Sequence, residues 1–192
     1  MMEIEKRKIT MIFAVLFAVT LLLLGYIFGQ LKITERNKIN YIARAAVIAT
    51  IYTLITYLFK PISYGVIQIR VSEALTLLPL VESAAIPGLF IGCLLANILG
   101  GMGPWDIYFG SLITLIAACI TAKMPGPVSG SLPPIVLNAF GISYYLSIIY
   151  NVPYWITVLY IGIGQLISVA ALGIPLYHFI QRTSLKDFFK KE

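Results

Sequence analysis

Apolar stretches long enough to cross a bilayer, or nearly so, follow one another almost without pause through this chain. A first run covers residues 9–31, and a polar linker follows at 34–40. The remaining runs occupy residues 41–59, 66–81, 84–99, 107–122, 135–150 and 153–179. A spanning helix needs about 20 predominantly apolar residues. The chain's 192 residues are 59% hydrophobic and 11% charged, whereas soluble domains carry about 25% charge. No soluble interior of this size holds such an apolar surplus, which excludes a soluble globular domain, a disordered chain, a collagen-like fibre and a disulfide scaffold. The expected fold is an all-α integral membrane protein. Its body is a six-helix bundle over residues 40–185, preceded by an extension (1–39) with one extra N-terminal hydrophobic helix and followed by a basic tail at 186–192.

The breaks between runs carry turn chemistry: Lys60-Pro61, Glu82-Ser83, the glycine-rich turn Gly100-Gly101-Met102-Gly103-Pro104, and Asn151-Val152-Pro153. The stretch 124–134, MPGPVSGSLPP, reads as the one loop rich in Pro, Gly and Ser. A net charge of +6 raises the question of nucleic acid, but the basic residues collect at helix ends, as membrane-surface anchors do. Positively charged loops stay cytoplasmic. With the start of run 41–59 inside, Lys32, Arg36, Lys38, Arg44, Lys123, Arg182, Lys186, Lys190 and Lys191 all fall inside, so both ends of the body, including the C-terminus, are expected in the cytoplasm of a multi-pass cell-membrane protein. Run 9–31 exceeds the ~7–15 residues of a signal-peptide core and lacks an Ala-x-Ala cleavage site. It is read as an anchor or extra helix that either spans, with Lys6, Arg7 and Lys8 outside against the rule, or lies along the membrane.

Ionisable residues within apolar segments are costly in lipid, so each is a functional-site hypothesis. Arg70 and Glu73, at i and i+3, would project from one helix face and can pair; the competing reading is an ion pair that only pins a helix. Gln68 flanks them and Tyr64 is near. Asp106 follows the glycine-rich turn, where it is either a helix N-cap or part of the same outer-face site, towards which Asn151 and Trp155 also point. Asn97, Asn138 and Gln165 are polar amides inside apolar runs, either interhelical glue or ligand contacts.

Other features read more plainly. Cys93 and Cys119 lie in apolar runs without metal or redox spacing and are taken as small packing residues. His178 has no second ligand at metal spacing and is assigned to the membrane interface. No Gly-x-x-x-x-Gly-Lys motif occurs, so the chain cannot hold nucleotide phosphates by a P-loop. Gly88, Gly92 and Ala96 repeat every four positions, as do Ala45 and Ala49, which suits close helix packing; the Ala45 and Ala49 pair could instead dock another protein.

The string Gln68-Ile69-Arg70-Val71-Ser72-Glu73-Ala74-Leu75, followed by Ala84-Ala85-Ile86-Pro87-Gly88-Leu89-Phe90-Ile91-Gly92-Cys93, by Ala96-Asn97 and by Asp106-Ile107-Tyr108-Phe109-Gly110-Ser111-Leu112, resembles the QueT family. The resemblance runs over residues 41–182 and leaves out 1–38. It implies a substrate-binding S component of an energy-coupling factor (ECF) transporter with a six-helix fold. Such a component captures a queuosine precursor, a 7-deazaguanine such as preQ1, preQ0 or queuine. The implied partners are a transmembrane coupling protein and two ABC-type ATPases. ATP is then consumed by those partners, and no cofactor is expected in this chain. The small-residue motif of the first helix would meet the coupling protein, best matched by Ala45 and Ala49, or by Ala46 and Thr50. Gln165 stands where the family tends to carry an acidic residue.

The chemistry is compatible on its own terms. A 7-deazaguanine offers N1–H and a 2-amino group as donors and O6 as acceptor, so a fitting site sets a carboxylate beside an amide or arginine. Gln68, Arg70 and Glu73 are such a set, and Trp105, Tyr108, Phe109, Tyr144 and Trp155 could stack on the base. Two rival readings remain at this point. An intramembrane enzyme would need a nucleophile and base or paired metal ligands. A self-sufficient secondary transporter for a nucleobase or vitamin would need no partner ATPase.

Overall fold

The protein's computed structural model describes Val15, residues 35–65 and residues 67–183. The chain divides into two compact units, Met1–Asn40 and Tyr41–Glu192. Apart from Val15, the apolar run 9–31 lies outside the described residues, as does the tail 186–192.

The described residues are helical, with no strand among them. Helix α1 covers Glu35–Leu58, a one-turn helix Lys60–Ser63 follows, and a non-helical segment leads into a 3-10 helix at Val71–Leu80. Then come α2, Ala85–Gly100; α3, Asp106–Thr121; α4, Pro127–Tyr150; and α5, Tyr154–Arg182. By length and composition, Lys38–Leu58 of α1, α4 and α5 are able to cross a membrane, and Val71–Leu80, α2 and α3 are shorter apolar helices.

Three local outcomes differ from the sequence pattern, each for a backbone reason. Run 66–81 is not one α-helix, because Arg70 is extended and the ten residues beyond it are wound as 3-10. Within it Pro79 has no N–H for the Leu75 carbonyl, and Thr76 Oγ1 donates to the Glu73 carbonyl at 2.6 Å, so two carbonyls of an α ladder lose or share their usual donors. Arg70 and Glu73 consequently do not share an α-helical face, and no ion pair joins them. The stretch 124–134 is not a loop throughout: α4 starts at Pro127, with Pro133 and Pro134 inside it. Proline at the first helical position is pre-organised for a helix. Pro134 leaves the Gly130 carbonyl without its usual donor, and Thr121 Oγ1 supplies one at 3.0 Å. Finally, α1 begins at Glu35, within the expected linker.

Close backbone approach holds the body together. Lipid is as apolar as leucine, so helix association in a membrane rests on van der Waals contact and hydrogen bonds. The inward face of α1 presents Tyr41, Ala45, Ile48, Ala49, Tyr52 and Thr56, all buried, while Ile42, Val47, Ile51, Leu54 and Leu58 face outward. A Cβ at Gly88 would stand 2.8 Å from the Ala45 carbonyl, and one at Gly92 would stand 2.9 Å from Tyr52 Cβ and 3.0 Å from the Ala49 carbonyl. Thr53 Oγ1 donates across the same seam to the Gly92 carbonyl at 3.1 Å. Ala45 and Ala49 are thus consumed by packing on α2, and the partner-docking role expected of them has no exposed surface; Ala46 and Thr50 are exposed.

At the other end of that seam Arg44 Nη1 lies 3.0 Å from Glu82 Oε2, and the Ala84 N–H donates to Glu82 Oε1 at 2.9 Å. This ion pair ties α1 to the turn before α2. The sequence showed these residues only as a basic helix start and a turn.

Two outcomes follow for stability. Gly92→Val must force α1 and α2 apart and is expected to cost about 1–3 kcal/mol, read as a lower thermal midpoint of the purified protein; an unchanged midpoint would contradict the seam. Glu82→Ala strands the Arg44 charge. Since Arg44 keeps 19% exposure, the loss is expected near the lower end of the ~3–5 kcal/mol seen for broken buried pairs. A double-mutant cycle with Arg44→Met should return much of it.

Candidate functional site

The non-helical residues between the one-turn helix and the 3-10 helix end in an extended Arg70, which is buried in the body. Gln68 adopts a left-handed backbone, φ 46°, which a residue other than glycine, Asn or Asp takes only under constraint. The constraint is visible on α5, where a Cβ at Gly164 would overlap the Ile67 carbonyl oxygen and stand 2.9 Å from that of Gln68. Further along, a Cβ at Gly173 would stand 3.0 Å from the Ala74 carbonyl oxygen. The other flank is held by Tyr64, whose hydroxyl donates to the Ala96 carbonyl at 2.6 Å. Burial raises the Tyr64 phenol above its ordinary pKa, with the Arg70 guanidinium pulling the other way; that guanidinium sits 5.1 Å from the centre of the Tyr64 ring.

Arg70 is 4% exposed, Glu73 1% and Asn97 0%. Tyr52 donates its hydroxyl to Glu73 Oε1 at 2.5 Å, and Thr56 and Ser72 share a hydrogen bond of 2.6 Å beside it. Arg70 Nη1 and Asn97 Nδ2 both point to the Cys93 sulfur, at 3.8 and 3.6 Å. The second N–H of Asn97 Nδ2 is given to the Asp106 carbonyl at 2.8 Å. Asp106 opens α3 in a π-helical turn, Asp106–Gly110, a local widening frequent at functional sites. It is not a side-chain N-cap; its Oδ1 accepts from the Tyr145 hydroxyl at 2.7 Å, which joins α3 to α4.

Arg70 and Asn97 therefore meet at Cys93, Asn97 is bonded in turn to the Asp106 carbonyl, and Glu73 is held by Tyr52, although these residues come from separate elements. The remaining expected residues are placed differently. The Gln68 side chain lines a separate open cavity of about 230 Å³ with Tyr150, Thr157 and Tyr160. Asn138 and Gln165 are buried, with Asn138 Nδ2 and Gln165 Oε1 lacking partners, but no hydrogen bond ties either to the Arg70–Glu73 group. Trp105 stacks on Phe109, centroids 5.2 Å apart, and Phe109 on Tyr145 at 6.1 Å. Tyr144 and Trp155, expected as stacking candidates, are 64% and 70% exposed and face outward.

The sequence reading missed Tyr52, Cys93, Thr114 and Tyr145. A signal existed for the first two. Tyr52 continues the Ala45 and Ala49 face of α1, and Cys93 lies one turn before Asn97. Thr114 and Tyr145 carried no such mark.

The unpartnered atoms indicate what this arrangement can do. Glu73 Oε2, Arg70 Nε and Asn97 Oδ1 are buried without a hydrogen bond. The unbonded atoms of a carboxylate, a guanidinium and an amide offer acceptors and a donor to a small polar molecule.

Comparison with known proteins adds the family. The sequence profile of the family described as QueT transporter matches residues 42–182. The chain is 34% identical over 85 residues to the Queuosine precursor transporter QueT of Lactococcus lactis subsp. cremoris (strain MG1363). That alignment takes in 43% of this chain and 49% of the relative, so it spans about half the length of that protein. No solved structure matches. The family match takes in every helix from α2 to α5 and nearly all of α1 beyond its first turns, and on that ground the chain belongs to the QueT transporter family.

Proposed function

We propose that this protein is the substrate-binding S component of an ECF-type importer and that it captures a queuosine precursor, a 7-deazaguanine such as preQ1, preQ0 or queuine. The observation that carries the reading is the buried group at Arg70, Glu73 and Asn97, which leaves a carboxylate oxygen, a guanidinium nitrogen and an amide oxygen without partners inside an apolar body. Leaving such groups unpaired is costly, and a base edge with two donors and one acceptor offsets that cost. Glu73 Oε2 accepts from the N1–H and 2-amino edge, and Arg70 donates to O6. Tyr52 holds the carboxylate through Oε1, which keeps Oε2 turned to the ligand.

In this reading the six-helix body counts the 3-10 helix Val71–Leu80 together with α1 to α5, both its ends are cytoplasmic, and run 9–31 is an additional helix. A transmembrane coupling protein and two ABC-type ATPases supply the energy, consistent with a sequence that carries no nucleotide motif. The exposed Ala46 and Thr50, on the outer side of α1, replace Ala45 and Ala49 as the docking motif. Gln68, Asn138 and Gln165 are assigned to the approach to the ligand rather than to the edge that reads it.

Equilibrium binding of the purified protein to preQ1, preQ0, queuine and guanine should show selective affinity for a deazaguanine. Glu73→Gln keeps the shape but loses a charge-assisted acceptor, and its affinity should fall by about 10- to 100-fold. Undiminished affinity in the variant would defeat the assignment of Glu73. Uptake in cells should vanish when the coupling protein or the ATPases are deleted. Uptake that persists would favour the secondary transporter instead.

A further inference from the structure

Three donors from three elements converge on one sulfur. Arg70 Nη1 lies 3.8 Å from Cys93 Sγ, Asn97 Nδ2 3.6 Å and Thr114 Oγ1 3.5 Å. Cys93 and Asn97 are 0% exposed, Thr114 2% and Arg70 4%. A thiol sulfur is a weak acceptor, so a guanidinium, an amide and a hydroxyl aimed at it are poorly matched. Thr114 shows the mismatch directly. Its single proton has the Gly110 carbonyl as an alternative acceptor at 3.1 Å, so the sulfur competes with an ordinary backbone bond. Beside this focus stand Arg70 Nε and Asn97 Oδ1, both buried and unpartnered.

We infer that Arg70, Asn97 and Thr114 form a pocket, floored by Cys93, that reads the ring carbonyl oxygen of the ligand, and that Thr114 is the residue selecting a 6-oxo over a 6-amino ring. A carbonyl oxygen lodged beside the sulfur is a far better acceptor for all three donors. The Thr114 hydroxyl then turns its O–H from the Gly110 carbonyl or the sulfur and donates to the ligand oxygen. An exocyclic amine at the same place would turn N–H towards three N–H and O–H donors, and a site built to donate rejects such a group strongly. The inference rests on the binding site proposed above and adds to it two residues, Cys93 and Thr114, to which the sequence analysis assigned no ligand contact.

The test uses the full chain in lipid nanodiscs with two probes, 7-deazaguanine and its 6-amino counterpart 7-deaza-2,6-diaminopurine. The unsubstituted protein should bind the oxo base more tightly. In Thr114→Val the affinity for the oxo base should fall about tenfold, while that for the amino base changes by less than about twofold. A purely structural role for Thr114 would move both affinities together. A ratio unchanged in the variant overturns the inference and leaves the proposed substrate class standing. Failure of the unsubstituted protein to bind either base removes both.

A second measurement needs no variant. Because the ligand must reach this pocket, a small permeant reagent such as methyl methanethiosulfonate can reach Cys93 by the same route. Saturating 7-deazaguanine should slow Cys93 modification at least about fivefold, with Cys119, only partly buried, as the internal reference. Cys93 that reacts equally, or fails equally to react, with and without the base also overturns the inference.

Discussion

Backbone that leaves the helical ladder cannot face lipid, because each unpaired N–H and C=O there costs several kcal/mol. This protein breaks its ladder between the turn at Lys60–Ser63 and the 3-10 helix at Val71–Leu80, and the surrounding body is arranged to cover the break. Gly164 and Gly173 remove side chains from α5 where the carbonyls of Ile67, Gln68 and Ala74 press against it. Tyr64 bonds to α2 on the other side. The left-handed Gln68 is the local strain that this cover sustains. What the break provides is a guanidinium deep inside an apolar bundle, which a continuous helix through residues 66–81 would have set on a surface with the rest of its face.

Once Arg70 is inside, the neighbouring groups are constrained by charge and hydrogen bonding. Glu73 is near enough to balance it electrostatically, yet is bonded to Tyr52 and not to Arg70. Asn97 is locked by the Asp106 carbonyl, and the π turn at Asp106–Gly110 gives Asp106 its bond to Tyr145. Glu73 and Asn97 each use one end of the side chain in a fixed contact and leave the other end unbonded, a pattern that suits a ligand site better than structural glue, in which both ends would be bonded. Proximity of α1 to α2 supports this indirectly. Tyr52 reaches Glu73 because Gly92 lets α1 come close, and Thr53 bonds to the Gly92 carbonyl on the same line.

Much of the candidate site could be read from residue types, since ionisable and amide side chains within apolar runs are few. Arg70 and Asn97 both contact Cys93, Asn97 bonds to the Asp106 carbonyl, and Glu73 is buried in a bond to Tyr52. The pairing expected of Arg70 with Glu73 failed because a spacing of three means one face only if the segment is α-helical, whereas Arg70 is extended and Glu73 lies in a 3-10 helix. The alanine pair at 45 and 49 carries the same spacing whether it meets another protein or another helix. Only the glycines opposite, Gly88 and Gly92, decide that it packs inward. Stacking aromatics could not be sorted for a related reason: Tyr144 and Tyr145 are adjacent in sequence, and one faces outward while the other bonds to Asp106.

The sequence by itself determined the solvent and the secondary structure class. Hydropathy summed over long runs does not depend on how those runs meet, and continuous apolar runs of this length satisfy their backbone in lipid as helices, not as the short alternating strands of a barrel. It also determined which side chains are too costly to bury without a purpose, and the family through the strings that carry them. Tertiary structure alone decided the break at residues 67–70, the inward turn of Ala45 and Ala49, the Arg44 to Glu82 tie and the gathering of donors on Cys93. Each of these depends on distances between groups far apart in the chain. Such distances follow from where a glycine admits a carbonyl or a proline removes a donor, and from which carbonyls and side chains then lie opposite.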